Sequence, residues 1–344
     1  MVEVTGKPLV PVTLVTGFLG SGKTTLLNRL LSEPALDGTV AIINEFGAIG
    51  LDHLLVEVTE ERFALLDNGC VCCTVRDDLV KTLKRLPERQ SLTRVIIETT
   101  GLADPAPILH ALMAEPELAA AYRIDGVVTT VDAVNGLDTL ARHAEARKQA
   151  AVADLLLLTK ADIATPEAIV ALHTALAGIN GTAIRRAAEH GAVRMDEVLG
   201  AGNPRHLDHA LASTSEAGHT CTDPACNHAG HAHHLSDIVS HAFIIDAPVE
   251  WARLRQWLDH FAALKGADML RMKGLVAIAE HPEAPLVLHG VQHIFHPPQK
   301  LAAWPSADRR TRLVFITRNI PRETIERTLK KFVGVSPVEI RSAA

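Results

Sequence analysis

The stretch GFLGSGKTT, residues 17–25, limits what this chain can fold into more than any other. It fits the spacing G-x-x-x-x-G-K-[ST], in which glycines let backbone N–H groups turn inward around phosphate oxygens. It also lies between an unbroken apolar run, PVTLVT, and a segment of helical spacing, TTLLNRLL, so a strand feeds the loop and a helix leaves it. In that setting Gly17, Gly20, Ser21 and Gly22 form the cradle, Lys23 meets the β and γ oxygens, and Thr24 ligates Mg2+. Thr25 continues into a helix whose N-terminus adds its positive dipole end.

The rest of the first half repeats the same texture. Short apolar runs (TVAIINEFG, RVIIETTG, DGVVTTVDA, ADLLLLTKAD) alternate with helix-spaced segments such as LVKTLKRL. Runs of this kind are strands buried on both faces, joined by crossover helices. The expected fold class is therefore α/β: a P-loop NTPase parallel sheet with helices on both faces, followed by a smaller α+β domain built from HAFIIDA, PVEWARLRQWLDHFAAL, LVAIAE, PLVLHGVQHIF, RTRLVFIT and PRETIERTLKKF. The expected divisions are 1–200 for the nucleotide domain, 201–240 for a His-rich flexible linker or insertion, and 241–344 for the closing domain.

Ligands in such sheets sit beyond the carboxyl ends of the strands. RVIIETTG puts Glu98 at such an end, as the carboxylate for Mg2+, with Gly101 offering a backbone N–H to the γ-phosphate. Thr159-Lys160-Ala161-Asp162 follows another apolar strand and approaches the Asn-Lys-x-Asp tetrapeptide that reads guanine. Asp162 would accept from the guanine N1–H and amino group, a pair of donors adenine lacks, so the expected nucleotide pair is GTP and GDP. Thr159 departs from the usual Asn, which weakens the expected anchoring beside the base.

The formal net charge of -6 gives no basic excess for a phosphate backbone, so nucleic acid is not an expected partner. No run of eighteen apolar residues or basic leader is seen, and the expected compartment is the cytoplasm, with no membrane partner. Three of the five cysteines, Cys70, Cys72 and Cys73, crowd into NGCVCCTVRDDL. In a reducing compartment they read as metal or redox ligands rather than a disulfide framework, small buried cysteines packing the loop being the plainer alternative. Adjacent Cys72 and Cys73 diverge along an extended backbone, so other ligands are needed, and Glu45 and Asp52 in neighbouring loops can complete a shell for Zn2+, Co2+ or Cu+.

Residues 206–241 hold His206, His209, His219, His228, His231, His233, His234 and His241, where about two of the chain's 18 histidines would fall by chance. This segment is expected to collect metal, with His219, Cys221, Cys226 and His228 as one auxiliary set and His231, His233 and His234 as further ligands; a solvated linker is the plainer reading. His289, His293 and His296 sit in or beside an apolar run and are expected to pack there.

GFLGSGKTT, INEFG, NGCVCCTVRDDL, ETTGLADP and TKAD, in this order, resemble the CobW family of P-loop GTPases, which is related to the hydrogenase and urease nickel-insertion GTPases. WLDHFAALKGADMLRMKGLVAI, LHGVQHIFHPP and TRLVFITRNIP extend the resemblance through the second half. The resemblance implies a GTPase that carries a transition metal, zinc first, at the Cys-x-Cys-Cys loop and delivers it to a client metalloprotein, with a second copy of the chain as another partner. Cobalt handling for cobalamin synthesis or nitrile hydratase is the alternative within the family. From other classes come a metal store and a small-molecule P-loop kinase; TKAD and the lack of an Arg-rich lid speak against the kinase. No glutamine stands out to position a water, so slow intrinsic hydrolysis is expected.

Overall fold

The structure is a computed structural model that describes residues 8–43, 63–65, 74–88, 91–188, 193–203 and 238–338. The first unit runs β1 (Val10–Gly17), α1 (Lys23–Leu31), β2 (Thr39–Ile43), β3 (Phe63–Leu65), α2 (Thr74–Arg85), β4 (Arg94–Glu98), α3 (Ala106–Ala114), α4 (Pro116–Ala121) and β5 (Tyr122–Asp132). It continues through α5 (Gly136–Arg142), α6 (Ala144–Ala151), β6 (Leu155–Thr159), α7 (Pro166–Ile179), β7 (Ile184–Ala188) and α8 (Met195–Val198). The second comprises β8 (Ile238–Ile245), α9 (Trp251–Lys265), β9 (Met269–Val276), β10 (Leu286–Val291), β11 (Ile294–Phe295), β12 (Gln299–Lys300), β13 (Thr311–Arg318) and α10 (Arg322–Thr328).

The first sheet has seven parallel strands in the order β3-β2-β4-β1-β5-β6-β7. Its central strands are apolar on both faces because both are covered. Leu155 and Leu157 join Val15, Ile96 and the α1 leucines on one side. Leu156 and Leu158 face Leu172 and Leu176 of α7 on the other, where Val12, Leu14, Val95 and Ile97 meet α3. Two strands lie outside the sequence expectation. β3 is only three residues long, and β7, with sequence IRRAA, is an edge strand whose exposed polar side gives no apolar run to read.

The second sheet, β11-β10-β9-β13-β8 with β12 on β10, is antiparallel, and α9 covers one face through Trp257, Leu258 and Phe261. The stretch LVAIAE is only partly strand: β9 begins earlier, at Met269, where alternating Arg271 and Lys273 break the apolar run. Both charged residues are used between the units. Arg271 Nη2 donates to Asp154 at 2.7 and 2.8 Å, its Nη1 donates to the Val152 carbonyl, and Lys273 pairs with the same carboxylate. Burial pushes Asp154 up, but the guanidinium and ammonium outweigh it and hold the carboxyl well below the usual range. Around this pair the two units share apolar contacts: Ile238, Leu270 and Ile316 join the α7 side and Val291 the α3 side. Among the described residues no helix is long and apolar enough to cross a membrane.

Candidate functional site

β1 ends at Gly17, where φ is +143° and an added Cβ would stand 2.3 Å from Thr130 Oγ1 and 2.5 Å from the Thr130 carbonyl. Only glycine fits, because β5 runs alongside in register, Gly17 opposite Thr130. Gly22, at φ +91°, then turns the chain into α1, leaving the helix N-terminus open toward the loop. Ser21 is buried with its hydroxyl 2.7 Å from Thr130 Oγ1. Lys23 is also buried, and its ammonium donates to the Gly17 and Phe18 carbonyls at 3.0 and 3.2 Å. The loop thus holds a positive charge over its own mouth, beside the dipole end of α1.

Glu98 closes β4 between Val15 of β1 and Ile43 of β2, and it is 6% exposed. The chain beyond it is stitched to the loop's strand: Thr99 N donates to the Val15 carbonyl at 3.0 Å and Thr99 Oγ1 to Thr16 Oγ1 at 2.7 Å. Gly101 then lies against the phosphate loop, where an added Cβ would come within 2.8 Å of Leu19 N. Thr24 stands in the first turn of α1, half-buried. A hydroxyl and a carboxylate are the hard oxygen donors that Mg2+ takes, so this donor pair fits the ion.

Thr159 ends β6, and its hydroxyl donates to the Ser21 carbonyl at 2.7 Å and contacts the Val131 carbonyl at 3.3 Å. The Thr159 side chain, in place of the usual Asn, thus reaches the phosphate loop directly. Lys160 adopts φ +57° and donates to Asp132 Oδ2 at 2.7 Å. Asp132 also accepts from Val134 N, Asn135 N and Asn135 Nδ2. Burial pushes Asp132 up, and these bonds, Lys160 first, outweigh it to hold the carboxyl below its ordinary value. Asp162 is exposed, three residues after the end of β6.

Between the loop and β5 lies a cavity of about 260 Å³, bordered by Phe18, Gly20, Thr130, Asp132, Asn135 and Gln149. Thr130, Asp132, Asn135 and Gln149 were not singled out by sequence. Asp132 had a readable signal, since it closes the run VVTTVD as Glu98 closes RVIIE; Gln149 had none.

Glu45, Asp52, Cys70, Cys72 and Cys73 lie outside the described residues, as do His219, Cys221, Cys226, His228, His231, His233 and His234. Their flanks are described. Ile43, two residues before Glu45, pairs with both Glu98 and Leu65, and α2 begins directly after Cys73. Because β3 runs parallel to β2, both segments leave the sheet from the edge that carries Glu98 and the phosphate loop. Among the described residues no three His, Cys, Asp or Glu side chains converge as a metal site. His289, His293 and His296 pack in the second unit: His293 Nδ1 meets the Ala262 carbonyl at 2.9 Å, and His296 Nδ1 meets the Pro297 carbonyl at 2.8 Å.

Comparison with known proteins places these features in context. Residues 11–184 match the family described as CobW/HypB/UreG, nucleotide-binding domain, and residues 238–333 match the cobalamin synthesis protein cobW C-terminal domain. The chain is 31% identical over 321 residues to the zinc chaperone YjiA of Escherichia coli, covering 92% of this chain and 96% of that one. It is 31% identical over 366 residues to the zinc chaperone CobW of Pseudomonas aeruginosa, covering 93% and 91%. The crystal structure of Zn(II)-bound YjiA GTPase superposes with a TM-score of 0.65 at 26% identity, over 95% of this chain and 99% of that one.

Proposed function

The chain belongs to the CobW/HypB/UreG family and is a P-loop GTPase, and from that premise we propose that it is a GTP-dependent metal chaperone whose cargo is zinc. The observation that carries the reading is the shared sheet edge. Ile43 and Leu65, from which the Glu45–Asp52 and cysteine segments leave, are in register with Glu98, next to the phosphate loop. Zinc chaperones among the relatives support the choice of ion.

In this reading Gly17, Gly20, Ser21, Gly22, Lys23, Thr24 and Thr25 hold the phosphates, and Thr159, Lys160 and Asp162 hold guanine. Thr24 and Glu98 would hold Mg2+, which when bound neutralises charge on the β and γ oxygens. Lys23 exchanges its loop carbonyls for phosphate oxygens and stabilises the leaving diphosphate. The Gly101 N–H senses the γ-phosphate, and water attacks the γ-phosphorus to leave GDP and phosphate. Hydrolysis is slow without a metal, client or second copy of the chain to accelerate it.

Cys70, Cys72 and Cys73, with Glu45 and Asp52, take the cargo, and the histidines and cysteines at 219–234 feed it. Where the γ-phosphate orders both segments, zinc binds more tightly in one nucleotide state; a tenfold change needs only about 1.4 kcal/mol. Delivery is to a client metalloprotein in the cytoplasm, the compartment that clustered free thiols suit.

The test is a competition titration of Zn2+ and Co2+ with Mg2+ and either GDP or a non-hydrolysable GTP analogue, repeated on Cys72→Ser/Cys73→Ser. A tenfold or larger nucleotide effect that the double variant abolishes supports coupled cargo, and a cobalt preference would redirect it to the cobalt-handling alternative. Equal affinity in both nucleotide states would make the thiols a store and remove the chaperone mechanism.

A further inference from the structure

Gln149 is fully buried on α6 and lies under the chain that follows Glu98. Its Nε2 donates to the Gly101 carbonyl at 3.2 Å and to the Ala103 carbonyl at 3.0 Å, while Oε1 has no hydrogen-bond partner and Gln149 lines the cavity beside the phosphate loop. Its neighbour Lys148 reaches Asp104 at 3.3 Å. Residues 101–104 are thus held from α6. Burying an amide with one oxygen unpaired is costly, so a glutamine here needs a reason beyond packing.

The C-terminal end of the same helix, just beyond Gln149, is held by the second unit. α6 ends at Val152, whose carbonyl accepts from Arg271, and two residues on Asp154 takes the Arg271 and Lys273 charges. A cation at a helix C-terminus satisfies an orphan carbonyl and meets the negative dipole end. The carbonyls of Ala150, Ala151 and Ala153 are meanwhile fixed by Asn180 Nδ2, each at 3.0 Å. Less than one helical turn separates Gln149 from Val152, and the carbonyls between them are bonded by Asn180.

We propose that Gln149 is a positioning residue for GTP hydrolysis, and that Arg271, by capping the helix that carries it, lets the C-terminal domain set the position of residues 101–104 and so the rate. This rests on the GTPase reading above and extends it to a route by which the C-terminal domain speaks to the γ-phosphate. A docked client or a displaced C-terminal domain would then change turnover without touching the nucleotide.

The experiment is a double-mutant cycle on kcat and KM for GTP, with GDP affinity measured alongside and thermal melts to establish folding. Gln149→Met keeps the length and removes both donors; Arg271→Lys keeps charge beside Asp154 and gives up the fork that reaches Val152. Expected is a tenfold or greater loss of kcat in Gln149→Met with GDP affinity within about threefold of wild type. Arg271→Lys should lower kcat at least threefold alone and by less than twofold on the Gln149→Met background, since coupled residues are non-additive. Gln149→Glu serves where Gln149→Met folds poorly: its kcat relative to wild type should rise toward low pH as the neutral acid regains one donor. Wild-type kcat in either Gln149 variant would overturn the positioning role, and multiplying effects in the cycle would overturn the link to the C-terminal domain. A wild-type protein that does not hydrolyse GTP at all would instead overturn the GTPase reading and this inference with it.

Discussion

The Thr159 hydroxyl donates a 2.7 Å hydrogen bond to the Ser21 carbonyl, so the strand proposed to present the guanine-reading residues and the phosphate loop are tied at one atom. Thr159→Val should lower GTP and GDP affinity together, by roughly five- to tenfold, as expected for one hydrogen bond worth about 1 kcal/mol beside a buried carbonyl left unpaired. Isothermal titration with both nucleotides checks it, and the ratio of the two affinities should stay unchanged.

Gly101 has no room for a methyl group, because an added Cβ would lie 2.8 Å from Leu19 N and 2.9 Å from Leu19 Cα. Backbone cannot swing aside as a side-chain tip can, so Gly101→Ala should push the 100–104 segment off the loop. Single-turnover assays should show hydrolysis falling at least tenfold while GDP binding persists; loss of both would instead mean that the phosphate loop itself had collapsed.

Asp162 is exposed where β6 gives way to α7, open to a base from solvent. On the proposed reading, Asp162→Ala takes away the acceptor for two guanine donors. The preference for GTP over ATP should drop by about a hundredfold, as expected for losing two hydrogen bonds to a charged acceptor at roughly 1.5 kcal/mol each. Competition of ATP against a fluorescent GDP reads this directly.

His289 sits on β10 opposite Lys273. Burial, with Lys273 and Arg271 nearby, pushes its imidazole from 6.5 down to about 3. The folded chain therefore refuses a proton that the unfolded chain takes up near pH 6.5, and stability falls as pH drops from there toward 3. Denaturant midpoints across that window should flatten in His289→Gln. Asp154, held low by the same two cations, works in a more acidic range: its stabilising contribution is present above the ordinary carboxylate value and is lost only in strong acid.

Much of this was legible because the parallel sheet writes itself as apolar runs and the phosphate loop as glycines. Glu98 and Thr159 could be placed at strand ends because each closes such a run. The bond from Thr159 to Ser21 was not legible, since residue identity gives no distance and the hydroxyl's reach depends on how close strand end and loop approach. The polar edge strand at Ile184–Ala188 carries no unbroken apolar run, and the one at Phe63–Leu65 is too short, at three residues, to stand out as a strand. Gln149, Asp154 and Arg271 were invisible for another reason. Their partners stand up to 119 positions away, and only the docking of the second sheet explains why a strand would alternate Arg271 and Lys273 with apolar neighbours.

That docking makes the boundary between the two units poor ground for a scalpel. Ile238, Leu270 and Ile316 complete the apolar layer on α7, Val291 completes the one on α3, and Asp154 depends on cations from β9. A fragment ending near residue 203 would meet water with an oily face and a stranded buried carboxylate, and should be recovered from cells as aggregate. A protease nick anywhere between residues 204 and 237 should do the opposite: the two pieces would still elute as one particle, and separate only when the whole assembly melts.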